Sequence, residues 1–280
     1  LLMEATILRC PICGQPLTQQ EKTLVCGNRH SFDIARQGYV NLLPVTQKHS
    51  KHPGDTRDMV AARRAFLDRG YYAPIAQTVQ RMFGEKLPEA PKVLDAGCGE
   101  GYYLSQLMSH LPGGTFLGVD ISKDAVRYAA GRCKSAMWIT ASAAHLPVMD
   151  GSLDGVMSMF ALTMPEEFHR VLTPGGYYLE VTAGREHLMA LKALIYPEIT
   201  EKQEKKSKEY PGFRLVQEVT LEFDFSLWEH QEIMQLLTMT PHLWRISREG
   251  AQRAAEAETL DDRAQVLFRL YQSVATSSGL

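Results

Sequence analysis

The sequence predicts an α/β fold, a doubly wound parallel sheet preceded by a small metal-knit module. Three observations predict it. From Lys92 onward, short apolar segments alternate with amphipathic ones. The first of those segments runs into a glycine-rich turn, Leu94-Asp95-Ala96-Gly97-Cys98-Gly99-Glu100-Gly101. Ahead of both, Cys10, Cys13, Cys26 and His30 stand at the spacing of a tetrahedral metal site. Alternating strands and helices imply parallel pairing through right-handed crossovers.

Taken in order, residues 7–32 read as a compact unit: a Cys10-Pro11-Ile12-Cys13-Gly14 knuckle, a polar hairpin over 18–22, then Leu24-Val25-Cys26-Gly27. Residues 39–43 are apolar and strand-like, and the polar, proline-bounded stretch 44–54 is a loop. Asp55 or Thr56 can cap a helix whose Met59, Ala62, Phe66 and Leu67 recur at helical spacing. A second helix spans 74–83. Strands follow at 93–96, 115–119, 137–140, 154–160 and 177–181, the last entered through Pro174-Gly175-Gly176. Helices fall between them at 103–111, 124–132 and 166–172. A charged run at 201–208 is expected on the surface, ahead of a long strand (213–225), a helix (229–237) and a terminal strand (265–271).

The bulk numbers bound the reading. At 280 residues the chain can bury a proper core, so one main domain with appendages is expected. No apolar run approaches the roughly 20 residues that cross a bilayer. The opening Leu1–Leu8 stretch is broken by Glu4, and no signal peptide is expected. Cys98 and Cys133 fall outside the metal pattern with no paired framework, which points to a reducing, cytoplasmic setting. A net charge of −2 speaks against a nucleic-acid partner, yet residues 1–90 hold 12 Lys/Arg against 8 Asp/Glu. Arg36, Lys48, Lys51, Arg57, Arg63 and Arg64 carry much of that excess and form a candidate phosphate-binding face. A solvated helix face would look the same.

The metal spacing is Cys-x2-Cys-x12-Cys-x3-His. Zinc takes thiolates and imidazoles tetrahedrally, and a two-residue gap lets one tight turn present two sulfurs. Four protein ligands leave no open position, so a structural Zn2+ is expected. It would staple a unit of about 25 residues that is too small to fold on its own core.

The glycine turn reads Gly97-x-Gly99-x-Gly101, tighter than the Gly-x-Gly-x-x-Gly of dinucleotide dehydrogenases. Asp95 closes the strand before it and offers an acceptor to a cationic or amino group. The next strand ends in Gly118-Val119-Asp120, with a carboxylate where ribose hydroxyls would lie. Leu146-Pro147, Asp150, Asp154 and Arg170-Val171-Leu172-Thr173-Pro174-Gly175-Gly176 follow. This ordered set resembles the class I S-adenosyl-L-methionine-dependent methyltransferases, whose Rossmann-like doubly wound sheet becomes the expected fold. The resemblance implies that Asp95, Gly97, Gly99, Glu100 and Gly101 cradle the methionine end of the cofactor. It also implies that Asp120 holds the ribose and that Ala141-Ser142 lie beside the adenine.

The front third narrows the family. Cys10-Pro11-Ile12-Cys13, Cys26-x3-His30, Phe32-Asp33 and Gly38-Tyr39-Val40-Asn41-Leu42-Leu43-Pro44 resemble the bacterial 23S rRNA guanine-N1 methyltransferases. So do Gly54-Asp55, Ala62-Arg63-Arg64-Ala65-Phe66-Leu67, Gly70, Tyr72, Arg185-x-His187-Leu188-Met189 and Met239-Thr240-Pro241-x-x-Trp244-Arg245. That resemblance implies a 23S rRNA hairpin as substrate, Tyr72 and His187 enclosing the cofactor, and a homodimer. It divides the chain into a zinc module (1–38), a basic RNA-facing segment (39–90) and a methyltransferase domain (91–280). One departure stands out: Phe160-Ala161-Leu162 has leucine where the family carries proline. No residue declares itself the general base, and Asp154 is the available carboxylate. A small-molecule methyltransferase and a zinc-bearing, catalytically inactive RNA-binding protein remain as alternatives.

Overall fold

The computed structural model describes residues 7–47, 54–199 and 208–275; Lys48, Lys51 and positions 201–207 of the charged run lie outside the described residues. A three-stranded antiparallel ribbon comes first: β1 (Leu17–Gln20), β2 (Thr23–Cys26) and β3 (Ser31–Asp33). The main sheet has eight strands: β4 (Tyr39–Asn41), β5 (Lys92–Ala96), β6 (Thr115–Asp120), β7 (Met137–Thr140), β8 (Leu153–Met159), β9 (Leu172–Ala183), β10 (Phe213–Leu227) and β11 (Leu260–Ser273). Their order is β10-β11-β9-β8-β5-β6-β7-β4. Neighbours from β4 through β9 run parallel, and β11 is antiparallel to both β9 and β10.

The parallel strands are buried on both faces, so their apolar runs are continuous rather than alternating. Successive residues still point to opposite sides, and the two sides have different covers. Val93 faces a core filled by α1 (Arg57–Asp68), α2 (Ala73–Gly84), α3 (Tyr102–His110), α4 (Lys123–Arg132), α6 (Met189–Ile195), α7 (His230–Thr238) and α8 (Arg248–Glu256). Leu94 faces a second core, closed by Phe168 and Val171 of α5 (Pro165–Val171) together with Leu8, Cys10, Leu17, Leu24 and Cys26 of the ribbon. Short main-chain bonds fasten the ribbon there: Arg9 N–H to Pro147 O at 2.9 Å and Met149 N–H to Ile7 O at 2.9 Å. The ribbon thus covers one face of the sheet, where a doubly wound fold would otherwise place helices.

Residues 39–90, the segment expected to face RNA, contribute an edge strand and two helices to the main domain. Tyr39 and Val40 pair with Trp138 and Ile139 as the sheet's edge strand, and α1 and α2 sit in the first core. Thr56 is the residue that caps α1, its Oγ1 accepting from Met59 N–H, while Asp55 turns to Arg63 instead. The terminal strand runs well beyond 265–271 because it pairs along nearly all of β10. Two helices, α6 and α8, fall outside the elements expected from the sequence. In α8 only Gly250 and Ala254 are buried, so no apolar stripe marks it. Gly250 is there for proximity: a Cβ would come within 2.1 Å of Ile195 O.

Candidate cofactor crevice and metal centre

Open α/β sheets bind ligands where strand order reverses, beyond the carboxyl ends of the strands. Here that point is β5, flanked by β6 on one side and β8 on the other. The turn after β5 folds back onto β6, with Gly97 and Cys98 N–H both bonded to Val119 O at 2.8 and 3.0 Å. Gly97 (φ +83°) lies so near the loop after β8 that a Cβ would sit 2.6 Å from Ala161 Cβ. Gly101 (φ +84°) serves packing instead, since a Cβ there would meet Trp138 Cη2 at 2.6 Å and Ala129 Cβ at 3.0 Å. Gly101→Ala is therefore expected to cost about 1–3 kcal/mol of stability from overpacking, plus left-handed strain. Urea denaturation with an unchanged m-value would register it.

The far wall is aromatic. Phe160 opens the loop after β8 in the left-handed region, φ +54°, an uncommon conformation for a bulky residue outside special sites. Its ring stacks on His187 with centroids 6.1 Å apart and lies 6.4 Å from Tyr103. His187 accepts from Gln265 N–H through Nδ1 (3.2 Å), which leaves Nε2 facing Tyr72 Oη at 3.5 Å. Burial drives His187 down to about 4, with nearby Lys192 adding to it, so the ring is neutral near pH 7. Burial likewise holds the Tyr72 phenol protonated. Tyr72 and His187 therefore meet as a neutral pair against Phe160, while Leu162 stands outside, 73% exposed.

The acids divide into bound and unbound. Asp120 Oδ2 accepts from Gly99 N–H (2.9 Å) and Oδ1 from Ser122 N–H (2.8 Å). Ser142, just past β7, turns its Oγ to Ala144 N–H at 3.2 Å. Glu100 is ion-paired with Arg132, which also bonds Asp68 at 2.7 Å. Asp95 is fully buried and, among the described residues, has no hydrogen-bond partner on either carboxylate oxygen. Burial, and then the neighbouring Asp120 and Glu100, push its carboxyl well above the usual range.

At the ribbon, the ligand atoms of Cys10, Cys13, Cys26 and His30 all lie within 4.8 Å of one another. His30 Nδ1 is 3.6 Å from Cys10 Sγ and 3.4 Å from Cys26 Sγ, and Cys13 Sγ is 3.6 Å from Cys26 Sγ. These are near the edges of a tetrahedron around zinc, roughly 3.5–3.8 Å for Zn–S near 2.3 Å and Zn–N near 2.1 Å. Hydrogen bonding from the backbone at Gln15 brings the Cys13 thiol down to about 6, toward the thiolate that a metal needs.

Comparisons with known proteins fit both halves. Residues 8–51 match the family described as RlmA, N-terminal, and residues 93–176 match a methyltransferase domain. A 23S rRNA (guanine(748)-N(1))-methyltransferase from Streptomyces fradiae is 38% identical over 89% of this chain and 90% of its own. This chain belongs to the 23S rRNA (guanine-N1)-methyltransferase family. A relative from Micromonospora griseorubida, named for the same reaction on 23S rRNA, is 39% identical over 66% of this chain and 68% of its own. Among solved structures, Haemonchus contortus phosphoethanolamine N-methyltransferase 2, in complex with S-adenosyl-L-methionine, has a TM-score of 0.49 and 15% identity over 79% of this chain and 58% of its own.

S-adenosyl-L-methionine and Zn2+ are the groups that a family methyltransferase with this ribbon requires, and the residues fit both. The three thiols and imidazole suit zinc. The orphaned Asp95 carboxyl, beside a turn that cannot carry a Cβ at Gly97, suits a cofactor bearing a sulfonium and an ammonium. Three expectations for single side chains are corrected. The Glu100 side chain is spent on Arg132, which also bonds the Glu100 carbonyl at 3.2 Å, so only its backbone N–H is left to the cradle. Asp154 accepts from Lys92 N–H at 2.8 Å at the amino ends of β5 and β8, the edge opposite the crevice, so it is no base for this family's reaction. Arg63 is not a surface cation: it faces the glycine turn and Asp55, three-quarters buried. Of the remaining basic set, Arg36 and Arg57 are exposed, and Arg64 lies over the Tyr128 ring at 5.7 Å with Asp68 at 3.6 Å. From the sequence Phe160 stands with Tyr102 and Tyr103 as a ring that could stack on the target base or pack in the core; its left-handed φ and its 40% exposure set it apart from a core aromatic. Among the described residues no helix is long and apolar enough to cross a membrane.

Proposed function

We propose that this chain transfers a methyl group from S-adenosyl-L-methionine to N1 of a guanine in a hairpin loop of 23S rRNA, in the cytoplasm. The observation that carries the reading is the 38% identity to a 23S rRNA guanine-N1 methyltransferase, which spans ribbon and methyltransferase domain alike. The cofactor, when bound, supplies an electrophilic methyl group. The protein's part is to hold the acceptor nitrogen in line with it and to keep water out. Asp95 and Asp120 hold the cofactor, Tyr72 and His187 close its flank, and Ser142 lies by its adenine. Phe160 offers an exposed ring edge, and Leu162 an exposed apolar surface, to a base extruded from its stack. A loop guanine costs least to extrude. With Asp154 tied to β5, the N1 proton passes to water.

Arg36 and Arg57, with Lys48 and Lys51, hold RNA phosphates, and a homodimer clasps one hairpin between two ribbons. The test is methyl transfer from labelled S-adenosyl-L-methionine to 23S rRNA lacking native base methylation, followed by digestion to nucleosides. Recovery of 1-methylguanosine from one hairpin is expected, and label in another nucleoside would refute the assignment. The double variant Arg36→Gln/Arg57→Gln should lower RNA affinity and reduce the salt slope by about 0.7–0.9 for each phosphate no longer neutralised. Cofactor affinity should not move.

A further inference from the structure

We infer that Arg63 binds the carboxylate at the methionine end of the cofactor, which makes it a determinant of cofactor specificity. The inference rests on the crevice being the S-adenosyl-L-methionine site. Arg63 lies in the second turn of α1 with its side chain only 25% exposed. It is held on two sides, Nη1 by Asp55 Oδ2 and Nη2 by Met239 O at 3.4 Å. Its Nη1 stands 3.4 Å from where a Cβ on Gly99 would be, so the bare glycine turn lies directly against the guanidinium. A guanidinium offers five N–H donors, more than Asp55 and Met239 engage, which leaves donors for a ligand.

Charge complementarity identifies that ligand. The cofactor carries a sulfonium and an ammonium but only one carboxylate. Around the turn stand Asp55, Asp95 and Asp120, which favour the two cations and would repel the anion. Among the described residues Arg63 is the cation placed to reverse that repulsion; Arg132, behind the turn, is engaged by Glu100 and Asp68. A planar guanidinium matches a carboxylate in bidentate geometry, whereas a lysine ammonium would offer a point charge. Asp55 and the Met239 carbonyl hold the fork in place.

The test compares, by calorimetry on the full-length protein, S-adenosyl-L-methionine with its decarboxylated analogue, which lacks only that group. Wild type is expected to prefer the parent cofactor by about ten- to a hundredfold, the scale of a charged hydrogen bond. In Arg63→Met the ratio should fall close to one, and Arg63→Lys should keep an intermediate ratio. The ratio is insensitive to partial unfolding because both ligands sample the same folded population. An Arg63 that merely braces Asp55 would weaken both ligands equally and leave the wild-type ratio, which overturns the inference. So would a wild type that does not distinguish the two. A variant that lost RNA affinity but kept the wild-type ratio would return Arg63 to the RNA face. Failure of wild type to bind either ligand would sink the cofactor reading, and this inference with it.

Discussion

Replacing Cys26 by serine is expected to unfold the ribbon outright, not loosen it. The strands β1, β2 and β3 have only four, four and three residues, and their buried side chains Leu17, Leu24 and Cys26 face the main domain. Such a unit has little core of its own. Structural zinc contributes on the order of 10–16 kcal/mol to small metal-built modules, comparable with the whole stability of an ordinary domain. With one ligand gone, zinc content should fall from one ion per chain to near none. Trypsin should then cut after Lys22 and Arg29, both already on the surface. The damage should spread, because Leu8 and Leu17 share a core with Leu146 and Val148. The main domain should therefore melt at a lower temperature while its crevice, built from β5, β6 and β8, still binds cofactor. RNA methylation should be lost. A Cys26→Ser protein that keeps its zinc and resists trypsin would show that the ribbon stands without the metal.

That dependence is legible in part. The ligand spacing announces the metal because four residues close in sequence make the whole site, and local patterns are what a sequence states most directly. The docking of the ribbon is not legible. Leu8, Leu17 and Leu24 read equally well as the private core of a small module and as the cover of a larger sheet. The same holds for Tyr39–Asn41, whose partner strand, Trp138–Thr140, lies far downstream. In the crevice, Asp95, Gly97 and Asp120 are visible because a turn between two strands forces them together. Arg63 passes for a surface cation because a helix sequence does not reveal which arginine points inward. Arg63 and Arg64 are adjacent, yet one meets Gly99 and the other lies over Tyr128. Asp154 misleads for a related reason: a carboxylate near a strand end reaches the crevice only from the carboxyl edge, and it sits at the amino edge.

Asp95→Asn is expected to stabilise the cofactor-free protein and cripple cofactor binding at once. Both carboxylate oxygens are buried without a hydrogen-bond partner among the described residues, and burial raises the carboxyl's pKa. In the unfolded chain an aspartate titrates near pH 3.9. As pH climbs past that value the unfolded state releases its proton while the folded state keeps it, so stability falls with rising pH until the folded carboxyl also ionises. An asparagine never ionises and escapes this loss. The variant should be more stable than wild type at pH 8, and the gain should shrink toward pH 4. Cofactor binding reverses the balance, because an ammonium or sulfonium beside Asp95 favours the carboxylate. Binding should therefore release a proton, and affinity should rise with pH. Calorimetric titrations in buffers of different ionisation enthalpy would count that proton. In Asp95→Asn the release should vanish and affinity should drop roughly 10- to 150-fold, as expected for a charged hydrogen bond lost. A variant that is less stable than wild type without cofactor, or a wild type that binds with no proton released, would mean that Asp95 has a partner the folded chain already supplies. The orphaned acid is thus a cost that the apo-protein carries for its ligand, a stability–function trade-off placed at the switch point of the sheet.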